Sequence, residues 1–209
     1  MRKLLIATTN PGKLLEIEAI LDDVPFDLVT LADYPNLAPP EESGRTFAEN
    51  ARAKAAYYAR ATRELVVADD SGLEIDALDG APGVESARFG GTGSSYPEKF
   101  ALIYDALRAT HALDSPARFV CAVALVSDGR VVFETEGVVE GRIAREPKGE
   151  GGFGYDPIFF YPPFGRTLAE AADRKSIVSH RGQAFRAVRA FLRSGFDSRF
   201  EVRGSSREL

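Results

Sequence analysis

The run Leu65-Val66-Val67-Ala68, followed without a spacer by Asp69-Asp70-Ser71-Gly72, constrains the fold more than any other stretch of the chain. Four apolar, β-favouring residues read as a buried strand. Two carboxylates, a hydroxyl and a glycine then stand where open α/β sheets place ligands, outside the carboxyl ends of their strands. Adjacent carboxylates repel each other, and a hard cation such as Mg2+ would relieve the repulsion. An Asx turn closing the strand satisfies the same residues. Both readings end the strand at Ala68.

The totals narrow the class. A chain of 209 residues can bury a sizeable core, and 44% hydrophobic with 27% charged residues is ordinary globular composition. Against 26 basic residues stand 31 acidic ones, and a net charge of −5 argues against a general nucleic-acid binder. The apolar part of Met1-Arg2-Lys3-Leu4-Leu5-Ile6-Ala7 is too short for a signal peptide. No run approaches the roughly 20 apolar residues that span a bilayer. A cytoplasmic protein without a membrane partner is the expectation. A single cysteine, Cys121, excludes an internal disulfide and a cysteine-rich metal site. With only His111 and His180, zinc sites built from several histidines are excluded too. Hydrolysis, if any, falls to carboxylates and a hard metal.

Strand, polar turn and helix open the chain. Lys3 to Thr8 reads as a strand, Asn10 as an N-cap, and Pro11 as the first residue of a helix with Leu14, Ile17 and Leu21 on its apolar stripe. Glu16 and Glu18 fall elsewhere on its surface. Backbone N–H groups and the helix dipole face the turn, Lys13 adds a movable positive charge, and the ensemble suits an anion. The spacing is not that of a Walker A loop. An ordinary capped turn is the plainer reading. Phe26 to Leu31 is a second strand, and Ala32 to Gly44 a proline-rich acidic loop. Thr46-Phe47-Ala48-Glu49 is a capping box opening a helix to about Thr62, with Phe47, Ala51, Ala55 and Tyr58 buried. Asn50 and Lys54 share another face.

Further on, Leu73 to Leu78 reads as a short strand and Tyr96 to Ala109 as a helix. Phe119 to Val126, apolar on both faces, is a covered central strand, and Asp128-Gly129 a two-residue turn returning it as Val131 to Val139. The sheet is therefore mixed. Gly149 to Pro157 places four glycines in six residues around Phe153 and Tyr155. Such a backbone can approach a flat ligand closely, and either ring could stack on a base. A surface loop is the alternative. Ile158 to Tyr161 reads as a strand and Thr167 to Ala172 as a short helix. Ser179 caps a last helix whose core face is Ala184, Phe185, Val188 and Leu192. His180 and Arg181 occupy its first turn, where positive charge opposes the dipole and calls for an anion or acceptor groups. One domain over residues 1–194 and a polar tail over 195–209 complete the reading.

Cations, carboxylates and a glycine-aromatic cradle together describe a nucleoside triphosphate with Mg2+. They do not choose between kinase, phosphatase and pyrophosphatase, nor exclude a sensor that holds the nucleotide unchanged.

Thr-Thr-Asn-Pro-Gly-Lys (8–13), Ala-Asp-Asp-Ser-Gly-Leu (68–73), Ala-Pro-Gly-Val-Glu-Ser-Ala-Arg (81–88), Gly-Gly-Phe-Gly-Tyr-Asp-Pro (151–157) and Ser-His-Arg-Gly-Gln-Ala (179–184) resemble, in unchanged order, the inosine/xanthosine triphosphate pyrophosphatase family. The resemblance runs from about residue 3 to 193. It implies an elongated mixed α/β sheet flanked by helices, two lobes with a central substrate groove, and a homodimer. It also implies hydrolysis of dITP, ITP and XTP to the monophosphate and pyrophosphate. Carried over, Thr8, Thr9, Asn10, Pro11, Gly12 and Lys13 would hold the triphosphate, and Asp70 would be the general base at the metal. Glu41 would be a Mg2+ ligand, with an offset of one to Glu42 open, and Asp69 would support the metal. Ser71 would touch the substrate, while Phe153, Gly154, Tyr155 and Asp156 would frame base and ribose. Lys175, His180 and Arg181 would read the nucleotide at the purine 6-oxo group. Thr9 stands where many relatives have glycine.

Overall fold

In the computed structural model, which describes residues 1–195, the described residues form one seven-stranded sheet and five α-helices. The strands are β1 (Lys3–Ile6), β2 (Asp27–Thr30), β3 (Leu65–Ile75), β4 (Pro116–Ser127), β5 (Arg130–Ile143), β6 (Phe159–Tyr161) and β7 (Arg166–Thr167). The helices are α1 (Pro11–Leu21), α2 (Phe47–Thr62), α3 (Tyr96–Ala109), α4 (Ala172–Val178) and α5 (His180–Arg193). The sheet order is β2-β1-β3-β4-β5-β6-β7; β1 runs parallel to both its neighbours and every later pair is antiparallel. The mixed α/β expectation is met. The hairpin joining β4 to β5 turns at Asp128 and Gly129, both at positive φ (49° and 72°), which matches the twist of the strands it connects. The polar tail expected from residue 195 lies, from 196 on, outside the described residues.

β3 and β4 are long enough to run through two separate packing environments. At one end, Leu65 and Val67 face α1 and α5 with Ile17, Cys121, Val123 and Phe185, while Val66 and Ala68 face α2 with Phe47, Ala51, Ala55 and Tyr58. At the other end, Leu73 and Ile75 pack with Ile103, Leu107 and Phe119 beneath α3. These are the two lobes. β1 pairs with β3 only as far as Val67, so one edge of β3 opens at the seam between them. Side chains satisfy that edge: Lys54 Nζ donates to the Asp69 carbonyl at 3.0 Å, and the Leu73 amide donates to Ser86 Oγ at 2.9 Å.

Three local expectations are corrected. β3 does not stop at Ala68: Asp69, Asp70, Ser71 and Gly72 continue it, paired with Val123, Ala122, Cys121 and Val120 of β4. Polar residues are tolerated mid-strand because each finds a partner at the seam. Leu73–Ile75 is accordingly the end of the same strand, with a 3-10 turn at Asp76–Leu78. Thr167 to Ala172 is not a helix. Thr167 and Glu170 make a reciprocal cap (Thr167 N to Glu170 Oε2 2.9 Å, Glu170 N to Thr167 Oγ1 3.2 Å), but Thr167 belongs to β7 and the helix starts only at Ala172.

Candidate active site

A cleft of about 300 Å3 opens along the seam, lined from four sides by the turn after β1, the loop before α2, the middle of β3, and the segments around Phe153 and His180. Of the residues singled out in the sequence, Thr8, Thr9, Asn10, Lys13, Asp70, Ser71, Phe153, Gly154, Tyr155, Asp156, Lys175, His180 and Arg181 line it. Pro11, Gly12, Glu41 and Asp69 do not.

The turn after β1 is built as a cap. Asn10 Oδ1 accepts the Lys13 amide at 3.0 Å and Thr8 Oγ1 accepts the Asn10 amide at 3.2 Å, which leaves the start of α1 facing the cleft. Pro11 is exposed on the far side and serves as the first helical residue. Gly12 provides room: a Cβ there would stand 3.1 Å from the Phe153 ring.

The pleat separates the two aspartates. Successive strand residues point to opposite faces, so Asp69 follows Leu65 and Val67 toward α1 and α5, and Asp70 follows Val66 and Ala68 toward α2. The expected repulsion between side chains on one face is therefore absent. Asp69, 1% exposed, lies 2.9 Å from Lys13 Nζ and 3.5 Å from Arg181 Nε. Burial pushes its pKa up, but Lys13, Arg181 and Lys54 outweigh burial and hold the carboxyl well below the usual range. Asp69 is thus an anchor for cations: its Oδ2 is the atom that meets both Lys13 and Arg181.

Asp70 sits differently. Its Oδ2 accepts from Asn50 Nδ2 at 2.9 Å and its Oδ1 from the Ser71 amide at 2.9 Å. Burial raises its pKa; the Asn50 hydrogen bond, Lys54 and Lys13 pull the other way without cancelling the rise, and Glu42 adds to it. Glu42, from the proline-rich loop, lines the cleft and pairs with Lys54, whereas Glu41 is exposed and does not line it. Of the two neighbours between which the sequence left the metal ligand open, Glu42 is the one that lines the cleft. A loop without periodicity carries no phase from which sequence could choose between neighbours.

The far end of the cleft is a buried charge network. Lys175 Nζ lies 2.7 Å from Asp156 Oδ2 and 3.2 Å from Glu16 Oε1; Arg181 donates to Glu16 Oε2 at 2.7 Å and to Ser71 Oγ at 2.8 Å. The cations at the start of α5 and on α4 thus find the anions that the helix dipole called for, and Glu16 is part of the site and not of the open surface. Phe153, half-buried, has Lys175 Nζ 4.3 Å and Arg181 Cζ 5.4 Å from its ring centre. Tyr155 is not free to stack on a ligand: it is buried, donates to the Ser86 carbonyl at 2.8 Å and meets Tyr96 edge-on. His180 stacks on Phe119 with ring centres 4.9 Å apart. Burial, and then Arg181, Lys175 and Lys13, push its pKa well below 6.5, so it is neutral and not the expected cation. Its Nδ1 is buried and has no hydrogen-bond partner. A buried polar atom without a partner is uncommon, and this one belongs to a side chain of the cleft wall.

For a divalent cation, the donor set is two carboxylates, Asp70 and Glu42, in the same cleft as the α1 turn. No group of three or more His, Cys, Asp and Glu side chains that could hold a metal occurs among the described residues. The residues fit Mg2+ in the way it is held at phosphate sites, by one or two carboxylates with phosphate oxygens and waters completing the shell. Sequence reasoning gave Asn50 and Glu16 no role, held Glu42 only as the offset alternative to Glu41, and had Lys54 leaning over a phosphate from the face it shares with Asn50.

A model of the Ham1 family matches residues 4–191. A protein of Exiguobacterium sp. named dITP/XTP pyrophosphatase is 47% identical over 189 residues, covering 90% of this chain and 95% of that one. One of the same name from Geobacter sulfurreducens is 45% identical, covering 92% and 97%. Among solved structures, a HAM1 protein from Coxiella burnetii superposes with a TM-score of 0.87 at 39% identity, covering 93% of this chain and 100% of that one.

Proposed function

The chain belongs to the Ham1 family, and from that premise we propose that it hydrolyses dITP, ITP and XTP to the nucleoside monophosphate and pyrophosphate, with Mg2+ as cofactor. Relatives named dITP/XTP pyrophosphatase support the reaction. The observation that carries it to this chain is a single cleft with a helix N-terminus and Lys13 on one side, the Asp70 and Glu42 carboxylates in the middle, and a buried aromatic and cationic wall beyond.

The turn Thr8 to Lys13 receives the triphosphate, with the α1 dipole and Lys13 offsetting its charge. Asp70 takes the proton from the attacking water. Its raised pKa suits a base better than that of an ordinary exposed aspartate. Water adds at the α-phosphorus, the bond to the α–β bridging oxygen breaks, and pyrophosphate leaves. Asp70 and Glu42 would hold Mg2+, which would supply charge neutralisation on the phosphates. Lys54 and Lys13 remain to balance the charge that moves onto the leaving group.

Selectivity follows from the wall. Phe153 covers the base, and Lys175, His180 and Arg181 present donors to the 6-oxo group of hypoxanthine or xanthine. Adenine brings a donor to that point, and a buried polar group left unpaired costs about 1–3 kcal/mol. A sensor that binds without turnover is disfavoured, because a binder gains little from a half-buried pair of carboxylates beside phosphates. A cytoplasmic location and a homodimer complete the proposal; light scattering would give twice the chain mass. No described helix is long and apolar enough to cross a membrane.

Incubation with ITP, dGTP and ATP, each with and without Mg2+, tests the reading. The expected products are IMP and pyrophosphate, metal-dependent, with the other two nucleotides turned over far more slowly. IDP and orthophosphate would overturn attack at the α-phosphorus, and intact bound ITP would make the protein a sensor.

A further inference from the structure

We propose that Asn50 is a positioning residue that locks the Asp70 carboxylate and the loop carrying Glu42 into one cation-binding arrangement. The inference rests on the reading of Asp70 and Glu42 as the metal seat. Asn50 lies on α2 with 2% of its surface exposed. Its Nδ2 donates to Asp70 Oδ2 at 2.9 Å and its Oδ1 accepts from the Gly44 amide at 2.8 Å. A carboxylate can only accept and an amide N–H can only donate, so the two partners fix the side chain in one orientation. Each end needs the other.

The two partners belong to otherwise separate pieces. Asp70 is on a central strand, and Gly44 closes the irregular stretch Pro39-Pro40-Glu41-Glu42-Ser43-Gly44. That stretch has further ties through Glu42, which pairs with Lys54 and whose carbonyl accepts from Arg88 Nη2 at 3.3 Å. Among the described residues, only the Asn50 tie joins the loop to the Asp70 carboxylate directly. Contact with Asn50 also explains the residue at 44: a Cβ there would stand 2.5 Å from Asn50 Oδ1. With Ser71 N on Oδ1 and Asn50 on Oδ2, both Asp70 oxygens are oriented and keep lone pairs for a cation. An aspartate at position 50 would lack the donor, and a serine would lack the reach. Outer partners of this kind typically change metal affinity about 10- to 100-fold when removed.

The test uses Asn50→Leu, close in size but without polar atoms, and Gly44→Ala, whose Cβ would press on Asn50 Oδ1 and so disturb the same tie from the loop side. Mn2+ binding in the presence of α,β-imido-ITP is followed by electron paramagnetic resonance, alongside the Mg2+ concentration for half-maximal ITP hydrolysis. Both variants are expected to bind Mn2+ about tenfold more weakly and to need about tenfold more Mg2+, with KM for ITP at saturating metal close to the starting value. Folded variants with unchanged metal affinity, or with only a lower Tm, overturn the proposal. If Asn50→Leu does not fold, Gly44→Ala decides alone. Unmodified protein that hydrolyses ITP equally well in EDTA would instead remove the metal seat itself, a failure distinct from that of Asn50.

Discussion

Asp69 and Asp70 are chemically identical neighbours with opposite surroundings. One side of β3 gives Asp69 two cations within 3.5 Å and a carboxyl held well below its usual pKa. The other side gives Asp70 an amide, a backbone N–H and a second carboxylate nearby, and raises its pKa. A strand pleat is enough to make one an internal counter-ion and the other a reactive group. The difference teaches that adjacency in sequence does not make a dyad: on a strand, residues i and i+1 answer to different layers of the fold.

The comparison can be broken most sharply at Asp70. Asp70→Asn should lower kcat by about 1000-fold, the range for loss of a general base. Its urea midpoint should hold or rise, because burial disfavours the charged form of that group relative to the unfolded chain. Asp69→Asn should do the reverse in emphasis. It leaves Lys13 and Arg181 facing a neutral amide, and breaking a buried ion pair from one side costs about 3 kcal/mol of stability, measurable by urea unfolding.

A pH series sharpens the contrast. His180 has a folded pKa below its unfolded 6.5, so the unfolded chain takes up the proton first as pH falls. Its contribution to stability is complete above pH 6.5 and is lost below it, at about 1.4 kcal/mol per pH unit. His180→Asn should flatten the acid slope between pH 6.5 and 5 relative to the unmodified protein. Asp69, with a lowered pKa, loses its contribution only at pH below 3.8, so the two groups separate along the same titration. The smallest effect is at the loop: Glu42→Gln should raise the Mg2+ requirement about tenfold while Glu41→Gln leaves it unchanged.

Much of the fold was legible because its signals are local. Asn10 before Pro11, Thr46 before α2, Asp128-Gly129 in the hairpin and the stripe Ala184, Phe185, Val188 and Leu192 each act over a few residues, and the structure has them as read, except that Glu49 of the expected capping box accepts from the Arg45 amide instead of the Thr46 amide. The aspartate pair was read as important and placed wrongly, because polar residues after an apolar run look like a turn. Whether they continue the strand depends on partners such as Lys13, Asn50 and Arg181, all distant in sequence. Thr167 and Glu170 show the converse, a genuine capping pair with no helix behind it. The choices between Phe153 and Tyr155 as the stacking ring, and between Glu41 and Glu42, were illegible for a third reason: in irregular segments no period says which of two nearby residues faces inward.

The most direct test of the reaction is hydrolysis of ITP in water enriched in oxygen-18, with Mg2+, followed by mass spectrometry of both products. Attack at the α-phosphorus, with Asp70 taking the proton from water, predicts the label in IMP and none in pyrophosphate. Label in pyrophosphate would place attack on the β-phosphorus, and label in orthophosphate would mean that the terminal phosphate is the one removed; either would contradict the account.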